Sequence, residues 1–230
     1  AGGTADCGDY NILVLEHLAN LAQKNEVFTL ESLIPHWMNR FEHNWGSWIC
    51  TMTKETYSQI KQNMRLSQVG GISNAMAIRH LSGYAFFIDE ESIAKFSREV
   101  MFTHRSEEAL SGGEFFARVT FKILNGMEIE DAIKETAIHS SQFIQDKVKI
   151  ALAKVEEEAD VNSSLHQEKF SDDLALTSMA KLWDIGRSEP IRVGKASPTE
   201  GTSPGAIYII LKYSQQEDTL NKALVANAMI

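Results

Sequence analysis

The sequence predicts an all-α protein, and three features lead to that prediction. Apolar residues recur every three or four positions along most of the chain, which is the spacing of a helix face. Ser, Thr and Asp residues that can cap helix N-termini precede several of these stretches. No internal repeat period indicates a solenoid. We therefore expect one helical domain.

In the N-terminal half, the helices are predicted from apolar faces and from three capping residues. Thr29, Asp89 and Ser106 are the expected N-caps, because their side-chain oxygens can accept hydrogen bonds from the first turn. Asn125 and Gly126 are expected to end the helix that Ser106 begins. The helices or their apolar faces, in chain order, are Val14, Leu15, Leu18, Leu21 and Ala22; Leu33, Trp37 and Phe41; residues 53–64; residues 75–87; Ile93, Phe96 and Val100; and Gly112, Phe116, Val119 and Ile123.

In the C-terminal half, helical spacing alternates with polar connections. Residues 156–169 read as a polar connection, and residues 186–205 as a loop rich in Gly, Pro and Ser. Residues 206–211 are β-branched, so a strand and a helix both stay open there. The predicted helices or their apolar faces are residues 130–137; Ile144, Val148, Ala151 and Val155; Leu176, Met179, Leu182 and Trp183 after Ser171; and Leu220, Ala223, Leu224 and Asn227.

The composition is that of an ordinary soluble globular protein, with 43% hydrophobic and 23% charged residues in a chain of 230. A net charge of -9 opposes non-specific binding to nucleic acid or to an anionic membrane surface. The longest apolar run, residues 206–213, is too short to span a bilayer. The chain begins at Ala1, so a removed targeting segment would leave no trace, and a cytoplasmic or organellar location stays open.

Several segments, in this order, resemble motifs of the ADP-ribosylglycohydrolase family, and especially of its crystallin-like branch. The similarity covers most of residues 9–230. It implies the compact orthogonal helical bundle of that family, as one domain over residues 1–230. Relative to the family, this domain is expected to be truncated at both ends. At the C-terminal end, the second metal motif would follow Ile230. The segments are GDYNILVLEHLA (8–19), SNAMAIRHLSGY (73–84), MFTHRSEEAL (101–110), GEFFARVTFKILNG (113–126), EGTSPGAIYIILKY (200–213) and LNKALVANAMI (220–230).

The first of these segments bears on metal binding. In active members of the family, a Thr and paired Asp residues at this place help to hold two magnesium ions. Here the corresponding residues are Gly8, Asp9, Tyr10 and Asn11, so only Asp9 matches a metal ligand. A pair of magnesium ions needs several carboxylates. The alternative is that Asp9 simply opens a helix, where a carboxylate is favoured.

The second segment bears on substrate binding. The resemblance places Asn74, Met76 and Arg79 on the loop that faces the ribose and phosphates of the substrate. An arginine there could form two parallel hydrogen bonds with a diphosphate. The alternative is that Asn74 is a helix N-cap and Arg79 a surface residue. Ala75 replaces the glycine of the family motif, which restricts close approach of a ligand to the backbone.

Other candidates are weaker. Asp172 and Asp173 copy the paired acids of the metal motif, but their place in the chain favours the first turn of a capped helix. His104 falls at a position of the family's L-T-H segment and is interpreted as a hydrogen-bonded core residue. Cys7 and Cys50 have no C-x-x-C partner, so a nucleophilic role is not expected, although one disulfide stays open.

The resemblance implies an ADP-ribosylglycohydrolase-like protein, and the degraded metal motif indicates that it is catalytically impaired and serves as a structural or accessory subunit. The alternative is a magnesium-dependent hydrolase that cleaves a glycosidic bond of ADP-ribose. No residue is assigned a catalytic role, and no cofactor is expected unless the protein is active, in which case it would be magnesium. Expected partners are other protein subunits and an ADP-ribose-type ligand, with no nucleic acid and no membrane span.

Overall fold

The computed structural model describes residues 6–43, 49–66, 70–71, 77–160 and 199–229, and these form an all-α protein. They contain nine α-helices and one 3₁₀ helix, and no strand. The predicted fold class is therefore confirmed. The chain divides into two compact units, Ala1–Met127 and Glu128–Ile230. The expected single-domain organisation stays a prediction.

The first unit contains five α-helices and the 3₁₀ helix. Side-chain oxygens of Thr29, Asp89 and Ser106 accept backbone N–H groups three residues later, at 3.2, 2.8 and 3.1 Å. The three predicted N-caps are thus confirmed. The helices are α1 (Asp6–Lys24), α2 (Leu30–His43), α3 (Thr51–Lys61), the 3₁₀ helix (Leu81–Ala85), α4 (Glu90–Val100) and α5 (Glu107–Leu124).

The core of the first unit is built around aromatic side chains. Trp37 of α2 is fully buried, and its ring meets the ring of Phe102 edge-on, with 5.0 Å between centroids. Phe41 stacks on Tyr57 of α3 at 4.2 Å. The other buried members of this core are Tyr10, Leu13, Val14, Leu18, Leu30, Leu33, Ile93, Phe96, Val100 and Ala117. Burial of such large apolar surfaces supplies most of the free energy that holds the helices together.

The predicted apolar face of α1 is partly wrong. Leu15 is 46% exposed and Ala22 is also exposed, whereas Tyr10, Leu13 and His17 are buried. The buried face is therefore rotated by about one residue relative to the prediction. Because the OH group of Tyr10 can donate to a backbone carbonyl, an aromatic residue with a polar tip could join the core, and hydrophobic spacing alone did not identify it.

Two helix boundaries also differ from the prediction. The expected helix over residues 75–87 is instead a turn at residues 77–80 followed by the 3₁₀ helix. Gly83 lies in this 3₁₀ helix against the side chains of Ile93 and Phe96, where a Cβ atom would come within 2.7 Å. Helix α3 covers Thr51–Lys61 and not residues 53–64, because Cys50 caps it and Asn63 adopts a φ of 61° after it ends.

The second unit contains α6 (Ile129–Ile138), α7 (Gln142–Asp160), α8 (Thr199–Tyr213) and α9 (Thr219–Met229). Ile144, Val148 and Ala151 form the buried face of α7, as predicted. Helix α7 extends to Asp160, into the segment expected to be a polar connection. The helix that was predicted to follow Ser171 lies outside the described residues.

Residues 206–211, for which a strand and a helix both stayed open, are helical, because they lie in α8. The predicted loop is wrong over residues 199–205, which also belong to this helix. It packs against α7 and buries the consecutive residues Ile207, Tyr208 and Ile209. A helix that is buried on more than one side loses the apolar periodicity by which a sequence reveals it. No helix within the described ranges is long and apolar enough to cross a membrane.

The close approach at Gly83 can be tested by Gly83→Ala. The added methyl group would overlap Phe96 and Ile93, and we expect the free energy of unfolding to fall by about 1–3 kcal/mol. Urea denaturation would measure it. Ser58→Ala changes an exposed position of α3, adds no atom and serves as the control, with an expected change within about 0.5 kcal/mol. Equal effects of the two substitutions would contradict the packing explanation.

Candidate functional site

The predicted metal ligand, Asp9, lies inside α1 and is only 6% exposed. Helix α1 begins at Asp6, so Asp9 is not the residue that opens the helix, and that alternative is wrong. The neighbouring positions are occupied by Gly8, Tyr10 and Asn11, none of which is an acid. The motif at residues 8–11 thus supplies a single carboxylate.

The three predicted substrate-binding residues have different outcomes. Asn74 and Met76 lie outside the described residues, as do Asp172 and Asp173. Arg79 is described and is fully buried, so its interpretation as a surface residue is wrong. Its proposed contact with a diphosphate stays a prediction.

Arg79 lies over the ring of Tyr10. The guanidinium carbon is 3.7 Å from the ring centroid, which is a cation–π contact. The OH group of Tyr10 donates a hydrogen bond of 2.6 Å to the carbonyl oxygen of Val100 at the end of α4. Burial raises the pKa of Tyr10 far above its ordinary value, although the charge of Arg79 lowers it in part. At neutral pH, Tyr10 is therefore a neutral phenol and offers no negative charge to a metal ion.

A chain of polar contacts continues from Arg79 to α3. Nη1 of Arg79 donates to Oγ1 of Thr103, and this oxygen lies 2.8 Å from Nδ1 of His104. Nε2 of His104 lies 3.9 Å from Sγ of Cys50, the N-cap residue of α3. Arg79, Thr103 and His104 have no exposed surface. The described site is therefore a buried polar network that begins at Tyr10 and reaches a partly buried thiol.

The two buried histidines in this region are neutral. Burial, helped by the nearby charge of Arg79, lowers the pKa of His104 from 6.5 to about 3. Burial also lowers the pKa of His80 to about 4, although a hydrogen bond with the backbone of Ala77 raises it in part. The interpretation of His104 as a buried, hydrogen-bonded residue is confirmed by its contacts.

Backbone contacts from the glycine pair at residues 70–71 hold the turn that carries Thr103 and His104. The N–H of Gly71 donates to the carbonyl of Thr103 at 3.1 Å, and the N–H of Ser106 donates to the carbonyl of Gly71 at 3.2 Å. Gly70 has a φ of +112°, and a Cβ atom on Gly71 would come within 2.3 Å of Sδ of Met52. Gly70 therefore requires glycine, whereas a side chain at Gly71 would have to displace the side chain of Met52.

Sequence reasoning missed Thr103 and Cys50 as members of this network. Thr103 directly precedes His104 in the segment MFTHRSEEAL, so its hydroxyl could have been predicted as a hydrogen-bond partner of His104. No nucleophilic role was expected for Cys50, because the sequence has no second cysteine at C-x-x-C spacing. Its contact with His104 joins residues 54 positions apart, and no local spacing could reveal it.

The side chains present do not fit a pair of magnesium ions. Magnesium prefers charged oxygen ligands in octahedral geometry. The phenol of Tyr10 is neutral and bonded to a carbonyl, and the guanidinium of Arg79 places a positive charge beside it. Among the described residues, no group of three or more His, Cys, Asp and Glu side chains could hold a metal ion.

Comparison with known proteins gave one match. The sequence model described as ADP-ribosylglycohydrolase matches residues 1–230, the full length given. A comparison with curated proteins found no match, and a comparison with solved structures found none either.

The buried neutral histidines predict acid-sensitive stability. In the unfolded chain, His80 and His104 bind protons with the ordinary histidine pKa of 6.5. In the folded chain, the pKa of His80 is about 4 and that of His104 is about 3. Their contribution to stability is thus complete above pH 6.5 and is lost as the pH falls toward these values. Between pH 7 and pH 5, each should lower the free energy of unfolding by about 2 kcal/mol, measured by urea denaturation.

His139→Gln, a substitution at an exposed histidine, should leave this pH dependence unchanged. A free energy of unfolding that does not vary between pH 7 and pH 5 would contradict the assignment of His80 and His104 as buried neutral groups.

The contact between Arg79 and Thr103 can be tested by Thr103→Val, which keeps the shape of the side chain. Loss of a buried hydrogen bond to a charged group should lower the free energy of unfolding by about 1.5–3 kcal/mol, measured by urea denaturation. Thr51→Val makes the same change at an exposed position of α3, with an expected effect within about 0.5 kcal/mol. Similar losses in both variants would refute the role given to this hydroxyl.

Proposed function

Since the chain belongs to the ADP-ribosylglycohydrolase family, we propose that it is a catalytically impaired member that serves as a structural or accessory subunit. The observation that carries the proposal is the position of Tyr10. By the resemblance, a second Asp would be expected here as a metal ligand. Tyr10 instead is fully buried beneath Arg79 and bonds the carbonyl of Val100.

The charges around Tyr10 support this proposal. A binuclear metal site is a concentration of positive charge that surrounding carboxylates must balance. Within residues 8–11 the chain has one carboxylate, from Asp9, and the fixed positive charge of Arg79 lies over the ring of Tyr10. An arginine stays protonated at every physiological pH. A divalent cation close to the guanidinium would therefore be repelled.

The well-formed core of the first unit supports a structural role. Three of its helices carry side-chain caps, and its aromatic residues pack against one another. A scaffold that is stable by itself can be kept for packing or assembly after its chemistry is lost. The expected partners are other protein subunits.

The second candidate is a magnesium-dependent hydrolase that cleaves a glycosidic bond of ADP-ribose. One observation favours it: the one acidic residue of the motif, Asp9, is retained at a buried position. In that case Asp9 would be a metal ligand, and Asn74, Met76 and Arg79 would bind the ADP-ribose part of the substrate.

The experiment that separates the two candidates is an assay of ADP-ribose release. The full chain would be incubated with ADP-ribosylated arginine, ADP-ribosylated serine and O-acetyl-ADP-ribose, with magnesium or with a chelator. We expect no magnesium-dependent release, and the same result for Asp9→Asn, whereas an active member of the family provides the positive control. Magnesium-dependent turnover that Asp9→Asn abolishes would establish the hydrolase instead.

Thermal unfolding of the same samples would separate catalysis from binding. A ligand that binds only the folded chain raises the melting temperature according to its concentration and affinity. A shift with ADP-ribose but not with magnesium would indicate that the chain binds the ligand without cleaving it. A shift with magnesium alone would count against the proposed loss of the metal site.

A further inference from the structure

The two cysteines of the chain lie against the same small apolar cluster. Cys7 is in the first turn of α1, and Cys50 is the N-cap residue of α3. Both side chains are partly buried, and both pack against the cluster formed by Met101, Ala109 and Leu110. The fold therefore places two thiols that are 43 positions apart in the sequence (50 minus 7) against one cluster of three residues.

The sulfur of Cys50 has three polar contacts. The backbone N–H of Thr53 donates to it at 3.4 Å, and the hydroxyl of Thr53 lies 3.0 Å away. Nε2 of His104 lies 3.9 Å from the same sulfur. The helix N-terminus and these side chains therefore hold the position of the Cys50 sulfur.

The hydroxyl of Thr103 connects Arg79 to His104. A guanidinium only donates, so Oγ1 of Thr103 accepts from Arg79. The hydroxyl proton of Thr103 is available for Nδ1 of His104. In the tautomer that accepts this proton at Nδ1, the one proton of the neutral ring lies on Nε2, which is the nitrogen that faces the sulfur of Cys50.

The geometry points to a thiol pair, in which Cys50 and Cys7 are oxidised by a small-molecule disulfide to one intramolecular disulfide. The Cys50 thiolate attacks one sulfur of the reagent, the S–S bond of the reagent breaks, and one reagent thiolate leaves. The sulfur of Cys7 then attacks the mixed disulfide at Cys50 and releases the second reagent thiolate. The two protein thiols are oxidised, the reagent disulfide is reduced to two thiols, and these take up the two protons.

This inference does not rest on the proposed function, because it invokes neither metal binding nor cleavage of ADP-ribose. It extends a chain of contacts that the fold has built around Arg79. It also gives the partly buried end of that chain, at Cys50, a chemical role.

The test is the reaction of the full chain with glutathione disulfide at pH 8, followed by alkylation and intact mass measurement. We expect loss of two hydrogens and no retained glutathione. Tryptic digestion without reduction should then give a linked pair of peptides, residues 1–24 and residues 41–54. The reaction should be roughly tenfold faster, or more, in the folded chain than in urea, because folding raises the effective concentration of one thiol near the other.

Single substitutions assign the two roles. Cys7→Ser should stop at one glutathione on Cys50, whereas Cys50→Ser should react more slowly than the wild type. Glutathione retained on both cysteines of the wild type, disulfide-linked dimers, the same rate in urea, or no reaction would each overturn the proposal. Equal rates for the two single variants would overturn the assignment of Cys50 as the attacking thiol.

Discussion

The guanidinium of Arg79 is a full positive charge with no access to solvent, and much of the first unit is arranged around it. Removing such a charge from water costs several kcal/mol unless polar or aromatic groups replace the lost hydration. Here the face of the Tyr10 ring and the hydroxyl of Thr103 supply part of that replacement. These groups come from α1 and from the turn after α4, so holding the charge also fixes the relative positions of those segments.

The buried charge also sets the protonation states of its neighbours. Burial and the positive charge both favour the neutral form of His104, and burial outweighs the charge at Tyr10 and keeps its phenol protonated. Next to the positive charge of Arg79, the side chains of Tyr10 and His104 thus carry no charge. This is the opposite of the acidic site that the family's metal chemistry requires, and it is the physical basis of the proposed loss of activity.

The same network reaches toward the surface through Thr103 and His104 to Cys50. Its members form one continuous chain, because the donor-only guanidinium of Arg79 bonds the Thr103 hydroxyl, and this hydroxyl in turn bonds His104. This part of the chain thus has an organised polar interior. The inferred reactivity of Cys50 and Cys7 depends on this order and on the cluster of Met101, Ala109 and Leu110.

The sequence by itself determined the helical class, the three N-caps and the family. Capping and apolar spacing depend on residues that are close together in the chain, and the order of motifs can be read directly from the sequence. It also identified Asp9 and Arg79 as residues of interest. Only the tertiary structure decided that Arg79 is buried against Tyr10, that residues 206–211 are helical, and that Cys50 meets His104. These outcomes depend on contacts between residues far apart in the chain, and on burial from several sides, which leave no local pattern in the sequence.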